Sequence, residues 1–166
     1  MSRFTETKFC AIIIEEVVFM HISTKCSIAI HCLIFINEYG GGTKVTSTLL
    51  SKSTGCNSVI IRNILSALKK EKILNIKQGT GGATLNISPN KITLYQIFNS
   101  VEPKFLNKLI GIHDEPSPYC PVGRNIHGVL NSFYEMVERD IKKSLESITL
   151  ESIIEQYHKQ LNFEEA

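Results

Sequence analysis

Between Asn57 and Asn63 the chain sets out side chains suited to recognition: Asn57, Ser58, Arg62 and Asn63, with Val59 among them. An arginine presents a planar fork of donors that can meet two acceptors at once, as on the edge of a guanine. Asn57, Val59, Arg62 and Asn63 are therefore candidates for base edges. Lys44, Thr46, Ser58, Lys77 and Thr80 suit phosphate oxygens, and Gln78 stands at a second point of approach. No catalytic constellation accompanies them. His21, His31, His113, His127 and His158 fall in no Ser-His-acid or metal-ligand spacing, so an enzyme has no residue support. Gly79-Thr80-Gly81-Gly82 is like a phosphate loop only in glycine content, since neither Lys-Ser/Thr nor a helix follows it.

Such side chains need a rigid element to present them. The stretch from Val45 to Leu85 reads as helix, tight turn, helix and hairpin. The first helix spans residues 43–53 with Thr46 as its cap; Leu50 points inward, and Ser51 is small enough for a second helix to cross close by. Gly55 follows where a turn between crossed helices needs positive φ. Asn57 or Ser58 caps the second helix, whose Ile61, Ile64, Leu65 and Leu68 share one face. Asn57, Val59, Arg62, Asn63 and Ser66 remain on or near the outer side. This is the layout of a helix-turn-helix whose second helix enters the major groove. Lys69, Lys70 and Lys72 then run into Ile73-Leu74, as a helix passing into a strand does. Strand-like NIK and ATLNI enclose the glycine-rich loop from Gln78 to Gly82, a hairpin that makes the motif a winged helix.

The charge coincides with the motif. From Lys44 to Lys91 eight basic residues stand against Glu71 alone, a local +7 in a chain whose total is +2. A solvated lysine-rich face is the bland alternative, but the coincidence favours a phosphate-binding face.

Residues 1–19 precede this organisation. AIII and VVF are too apolar to lie bare in water, so one reading docks them as a strand or helix. In the other, Met20 is the natural start, because Glu15-Glu16-Val17 can be encoded by a purine-rich string resembling a ribosome-binding site. The second is the expectation. Ser23 or Thr24 caps a first helix with a buried stripe of Ile28, Cys32, Phe35, Ile36 and Tyr39, stopped by Gly40, Gly41 and Gly42. His31 is expected at the surface. After the hairpin, Pro89-Asn90 turns the chain into a short helix, ITLYQIFNSVE. Residues 102–122 form a linker with Pro103, Pro116, Pro118 and Pro121. A long helix then runs to about Ile148 with a ridge of Ile126, Val129, Leu130, Phe133, Val137, Ile141, Leu145 and Ile148. Such a ridge needs a partner surface, which a twin helix from a second subunit supplies. Thr149 caps a final short helix with Leu150, Ile153, Ile154 and Tyr157 inward, and NFEEA frays. The expected fold is mostly α with a small β-wing. A winged helix-turn-helix DNA-binding domain occupies residues 20–101, and dimerisation and C-terminal helices occupy residues 123–166.

The run from Met20 (MHISTKCSIAIHCLIFI), through CNSVIIRNILSALKKEKIL and QGTGGATL, to ITLYQIFNSVE resembles the Rrf-two (Rrf2) family of bacterial winged-helix repressors. The likeness spans roughly residues 20–161, and the wing followed by ITLYQIFNSVE is its most specific part. It implies a homodimeric transcription regulator whose partner is double-stranded DNA with a pseudo-palindromic operator. The family includes iron–sulfur-cluster regulators, nitric-oxide-sensitive repressors and cysteine-metabolism repressors. Cluster-sensing members carry three clustered cysteines in the linker matching Glu102 to Arg124, where this chain has Cys120 alone. One thiolate, even with His113, cannot hold a cluster that wants four ligands. The resemblance is thus to the cluster-free branch, and no cofactor is expected. Relatives commonly carry Arg where this chain has Gln78, so its wing contact with the minor groove is expected to be weaker. Cluster-sensing relatives often have an acid at the position of Arg62, so the operator should differ. Some cluster-free relatives work with a metabolic enzyme, which leaves action through a protein partner as the alternative.

With 43% apolar residues, 166 residues bury a core for one domain and an appendage. No apolar run approaches a membrane span, and CAIIIEEVVFM lacks the basic start of a signal peptide. Five cysteines without regular spacing argue for a reduced, cytoplasmic protein. Thiol oxidation is then a candidate signal, through Cys120 or Cys56. Backbone amides near Cys120 would lower its pKa, although a small residue tucked under the linker is the favoured reading. Cys56 is expected to pack in the core, as is Cys32. Cys26 and Cys32 lie on different faces of one helix and cannot pair. His113, Asp114, Glu115 and Cys120 offer at most a weak metal site, so no metal is expected.

Overall fold

The computed structural model describes residues 23–77 and 82–164. Expectations for residues 1–19, for His21, and for Gln78 and Thr80 lie outside the described residues. The described elements are α1 (Thr24–Tyr39), α2 (Ser47–Thr54), α3 (Ser58–Lys70), β1 (Leu74–Lys77), β2 (Gly82–Leu85), α4 (Leu94–Val101), α5 (Pro121–Ser147) and α6 (Leu150–Glu164). Short 3-10 turns at Pro89–Lys91 and Leu106–Lys108 join them.

Helices begin here where a side-chain oxygen can accept an orphan backbone N–H. Ser23 Oγ accepts from Lys25, Thr46 Oγ1 from Leu49 and Asn57 Oδ1 from Val59, at 3.3, 3.2 and 2.8 Å. At α4 the exchange is reciprocal: Gln96 N–H donates to Thr93 Oγ1 while Thr93 N–H donates to Gln96 Oε1. Thr149 Oγ1 accepts from Ser152 N–H at 3.2 Å at the start of α6. Helix α5 starts differently, with Pro121 as its first residue and no side-chain cap from Cys120.

The core lies where α1, α3 and α4 meet, with Leu33, Leu50, Ile61, Leu68, Ile92, Ile97 and Leu150 wholly enclosed. On α1 the buried face matches the expected stripe only at Cys32 and Ile36. Cys26, Ala29, Cys32, Leu33 and Ile36 are buried, whereas Ile28 and Phe35 are half-buried and Tyr39 is exposed. The cause is that apolar residues surround most of this helix, so periodicity alone does not fix which face turns inward. Gly40 ends α1, donating its N–H to Ile36 O, as the glycine run led one to expect. His31 is exposed and shares a 2.9 Å hydrogen bond with Ser53 Oγ, tying α1 to α2.

The hairpin pairs Leu74 with Leu85, Asn75 with Thr84, Ile76 with Ala83 and Lys77 with Gly82. Asn86 N–H donates to Ile73 O at 2.9 Å and closes its base, while Ala83 N–H joins it to the chain leading into α2, donating to Val45 O at 2.9 Å. Farther along, residues 92–94 and 148–150 run antiparallel: Leu94 N–H donates to Ile148 O and Leu150 N–H to Ile92 O, both at 2.8 Å. The junction between α5 and α6 is thereby laced to the start of α4.

The apolar ridge of α5 divides. Ile141 and Leu145 pack against the core of their own chain. Val129, Phe133 and Val137 stay 53, 57 and 43% exposed, and no α5 residue is fully buried. Helix α6 has 15 residues and so is not short. Leu150 and Ile154 are buried, Ile153 and Tyr157 are half-buried, and the helix continues through Asn162 and Phe163, where fraying was expected. Because Leu68 is wholly enclosed, Leu68→Ala should lower stability by about 2–5 kcal/mol in urea unfolding monitored by circular dichroism.

Candidate nucleic-acid interface

The interface begins with the turn between α2 and α3. Gly55 ends α2 at φ +69, the left-handed conformation its position called for. Side chains then tie the turn down. Thr54 Oγ1 donates to Leu50 O and accepts from Cys56 N–H, while Ser51 Oγ donates to Cys56 O at 2.5 Å. Ser51 is therefore a fastening as well as a small residue. Cys56 is half-buried against the core, its Sγ 3.6 Å from Thr54 O.

With Ile61, Ile64, Leu65 and Leu68 turned inward, Val59, Arg62, Asn63, Ser66, Lys69 and Lys70 are exposed on α3. A cleft of about 380 Å³ opens between α3, the residues leading into α2, and the hairpin. Lys44, Arg62, Lys69 and Lys77 line it without any carboxylate, together with the hydroxyls of Thr46, Ser47 and Ser66. Arg62, Lys69 and Lys77 have no ion-pair partner among the described residues. Thr46 Oγ1 accepts from Leu49 N–H and keeps its own hydrogen for an outside acceptor. Four cations facing solvent across one cleft form a strong anion-binding surface.

Of the residues expected at the site, Lys44, Thr46, Arg62 and Lys77 come together in this cleft. Val59 is exposed about one turn before Arg62 and two turns before Ser66 on the outer side, and Ser58 is half-buried at the helix start. Asn57 is engaged as the helix cap, so its amide oxygen holds Val59 N–H and its amide nitrogen remains to donate. Asn63 borders a separate notch with Lys25, Ile60 and Val101, on the flank of α3 nearer α1 and α4. Gln78 and Thr80 lie outside the described residues. The sequence reading passed over Ser47, Ser66 and Lys69 as site residues. Ser66 and Lys69 follow Arg62 at i+4 and i+7, so helical spacing carried the signal.

The linker departs from expectation at Cys120. Instead of being tucked away, Cys120 is exposed at the start of α5, and the N–H groups of Gly123 and Val122 hold its thiol below the ordinary value of 9.0. It is exposed because the helix begins at the next residue and the chain has already turned at Ser117, whose carbonyl accepts Cys120 N–H. Burial does the opposite on α1, pushing Cys26 up to about 11 and Cys32 up to about 12. His127 Nε2 donates to His113 O at 2.8 Å, with the two rings edge to face. His113, Asp114, Glu115 and Cys120 do not gather into a ligand set, and no three metal-binding side chains do so among the described residues. No helix of the described residues is long and apolar enough to cross a membrane.

Comparison with known proteins adds to this geometry. A family model described as Rrf2, iron-dependent transcriptional regulator, matches residues 22–156. YwnA of Bacillus subtilis strain 168, named as an HTH-type transcriptional regulator, is 32% identical over 133 residues, 80% of this chain and 96% of its own length. A solved structure described as a DNA-binding protein is 27% identical with a TM-score of 0.63, covering 78% of this chain and 98% of its own. A transcriptional regulator from Lactobacillus plantarum (22% identity, TM-score 0.66, 84% of this chain and 98% of its own) shares the fold. So does CymR, the global cysteine regulator of B. subtilis (18%, 0.61, 81% and 96%).

On DNA recovered by selection with the purified protein, Arg62→Ala should cost about 1–3 kcal/mol and relax preference at one operator position. Lys77→Ala should instead weaken binding evenly across sequences and lower the salt slope by about 0.9. Titration of fluorescent duplexes at several salt concentrations measures both.

Proposed function

The chain belongs to the Rrf2 family of DNA-binding transcriptional regulators, and from that premise we propose that it is a cytoplasmic homodimeric repressor that grips a pseudo-palindromic operator. The observation that carries this reading is the basic cleft between α3 and the hairpin, with Arg62 and Lys69 on one element and Lys77 on the other. In each half-site α3 lies in the major groove, where Arg62 pairs with a guanine edge. Lys44, Thr46, Lys69 and Lys77 hold the sugar-phosphate backbone and set the register.

Dimerisation is supported by α5. Its exposed Val129, Phe133, Met136 and Val137 make an apolar strip that water does not favour, and a second α5 is the complementary surface. Two reading helices fixed to paired α5 helices give a two-fold protein for a two-fold operator. We also propose that the protein works without an iron–sulfur cluster, although the family is described as iron-dependent. Cys120 is the one linker cysteine, Cys26 and Cys32 are buried in α1, and no ligand set forms among the described residues. The residues present do not fit a cluster.

A second feature of the reading is thiol responsiveness, favoured by the exposure of Cys120 and the amides that stabilise its thiolate. A lowered thiol pKa enlarges the thiolate fraction at neutral pH. In the folded protein Cys120 should therefore react with iodoacetamide before the other thiols, with a pH midpoint below 9.0. Cys26 and Cys32 should stay unlabelled until the protein unfolds; peptide mapping by mass spectrometry reads all three. Phe133→Glu should convert the dimer to monomer in sedimentation velocity and weaken operator binding about 100-fold at fixed salt, as avidity is lost. A dimer persisting with full affinity would remove α5 from the interface. Duplex binding that needs an added protein partner would favour the alternative of action through that partner.

A further inference from the structure

We propose that Gly82 is a positioning residue for DNA binding: its missing side chain lets the hairpin close on the main chain leading into α2, and that seam sets the width of the basic cleft. The proposal rests on the DNA-binding reading above and concerns how the grip is held in shape.

Gly82 has φ +71, a conformation that L side chains rarely adopt. Space forbids a side chain there as well. A Cβ at Gly82 would lie 2.8 Å from Val45 O and 2.9 Å from Val45 N, with Lys44 Cγ at 3.2 Å. The first two are main-chain atoms and cannot step aside as a flexible side chain would. Val45 is only 1% exposed, and the next residue, Thr46, caps α2. Ala83 N–H donates to the same Val45 carbonyl at 2.9 Å. Two backbones thus run in direct contact where β2 begins.

The seam lies between two of the cleft's cations. Lys44 precedes Val45, and Lys77 is the cross-strand partner of Gly82. Any side chain at position 82 must push β2 away from Val45, and Lys77 moves with it because the strands are paired. Lys44 and Lys77 then no longer reach the stretch of phosphate backbone that Arg62 and Lys69 reach from α3. Base reading by α3 is kept, because Gly55 and the Asn57 cap, which fix where the helix starts, lie outside the seam. Gly41 provides the control, since an added Cβ there meets nothing within 4 Å.

The test compares full-length wild type, Gly82→Ala and Gly41→Ala on a duplex selected by the wild type and on an unrelated duplex. Salt is varied, and active fractions are fixed by stoichiometric titration. Gly82→Ala should lose about tenfold in affinity on both duplexes, with a salt slope shallower by about one to two. The ratio of specific to unrelated binding should be unchanged, and Gly41→Ala should match the wild type. Wild-type affinity and slope in Gly82→Ala would overturn the proposal. So would a reduced active fraction with an unchanged slope, which marks a role in stability alone. If Gly82→Ala does not fold, amide exchange of the wild type decides: Ala83 N–H should be among the slowest in the hairpin, and exchange at the unprotected rate would overturn the seam. A wild type without salt-dependent duplex binding would instead remove the DNA reading itself.

Discussion

Burial of one face of α3 is the constraint on which the rest of the molecule depends. Ile61, Ile64, Leu65 and Leu68 are pressed into the core, and withdrawing four such side chains from water contributes on the order of 6–12 kcal/mol as an upper estimate. That is comparable with the whole net stability of a typical domain. Turning α3 by a single residue would swing the apolar face by about 100° and forfeit most of it. The direction of Arg62, Ser66 and Lys69 is therefore fixed by residues that never meet a ligand. Gly55 and the Ser51–Cys56 hydrogen bond fix where the helix starts, and the core contacts fix its roll.

Helix α3 was legible in the sequence because one apolar period, one cap and one turn glycine agreed on the same element. Helix α1, its cap and its glycine stop were legible too, but its inward face was not, because its apolar residues surround it and several choices of inward face satisfy the same spacing. The exit of α3 into a strand was legible in the lysines leading to Ile73-Leu74, but the conformation of the turn was not. Lys72 adopts φ +58, the left-handed conformation in which a glycine is the usual mark, and Ile73 N–H closes back on Leu68 O. The cleft was half legible. Arg62 and Lys77 could be read as a helix residue and a wing residue, but their meeting depends on Val45 touching β2, a contact between positions far apart in the chain. Cys120 was misplaced for a related reason: a proline-rich loop gives no period from which exposure can be read.

Function and architecture join at α4. It packs against α1, α3 and α5, so it links α3 to the long helix. Tyr95 on α4 lies 5.0 Å from the ammonium of Lys142 on α5, and Tyr95 and Phe98 both meet Phe105 at the start of the linker. The long helix is thus fastened near its C-terminal half, while the strip around Phe133 projects beyond the chain's own core. One helix divides its apolar residues between the chain's own core and an exposed strip.

The lacing between residues 92–94 and 148–150 imposes a rule of a different sort on this chain. Leu94 and Leu150 are each the first residue of a helix, the place where proline ordinarily fits best because a first-turn N–H has no partner inside the helix. Here both N–H groups are committed to carbonyls on the opposite segment. The residue type most welcome at a helix entrance is the one that these two entrances must refuse, and the enclosed side chains of Ile92 and Leu150 hold the strap to the core as well.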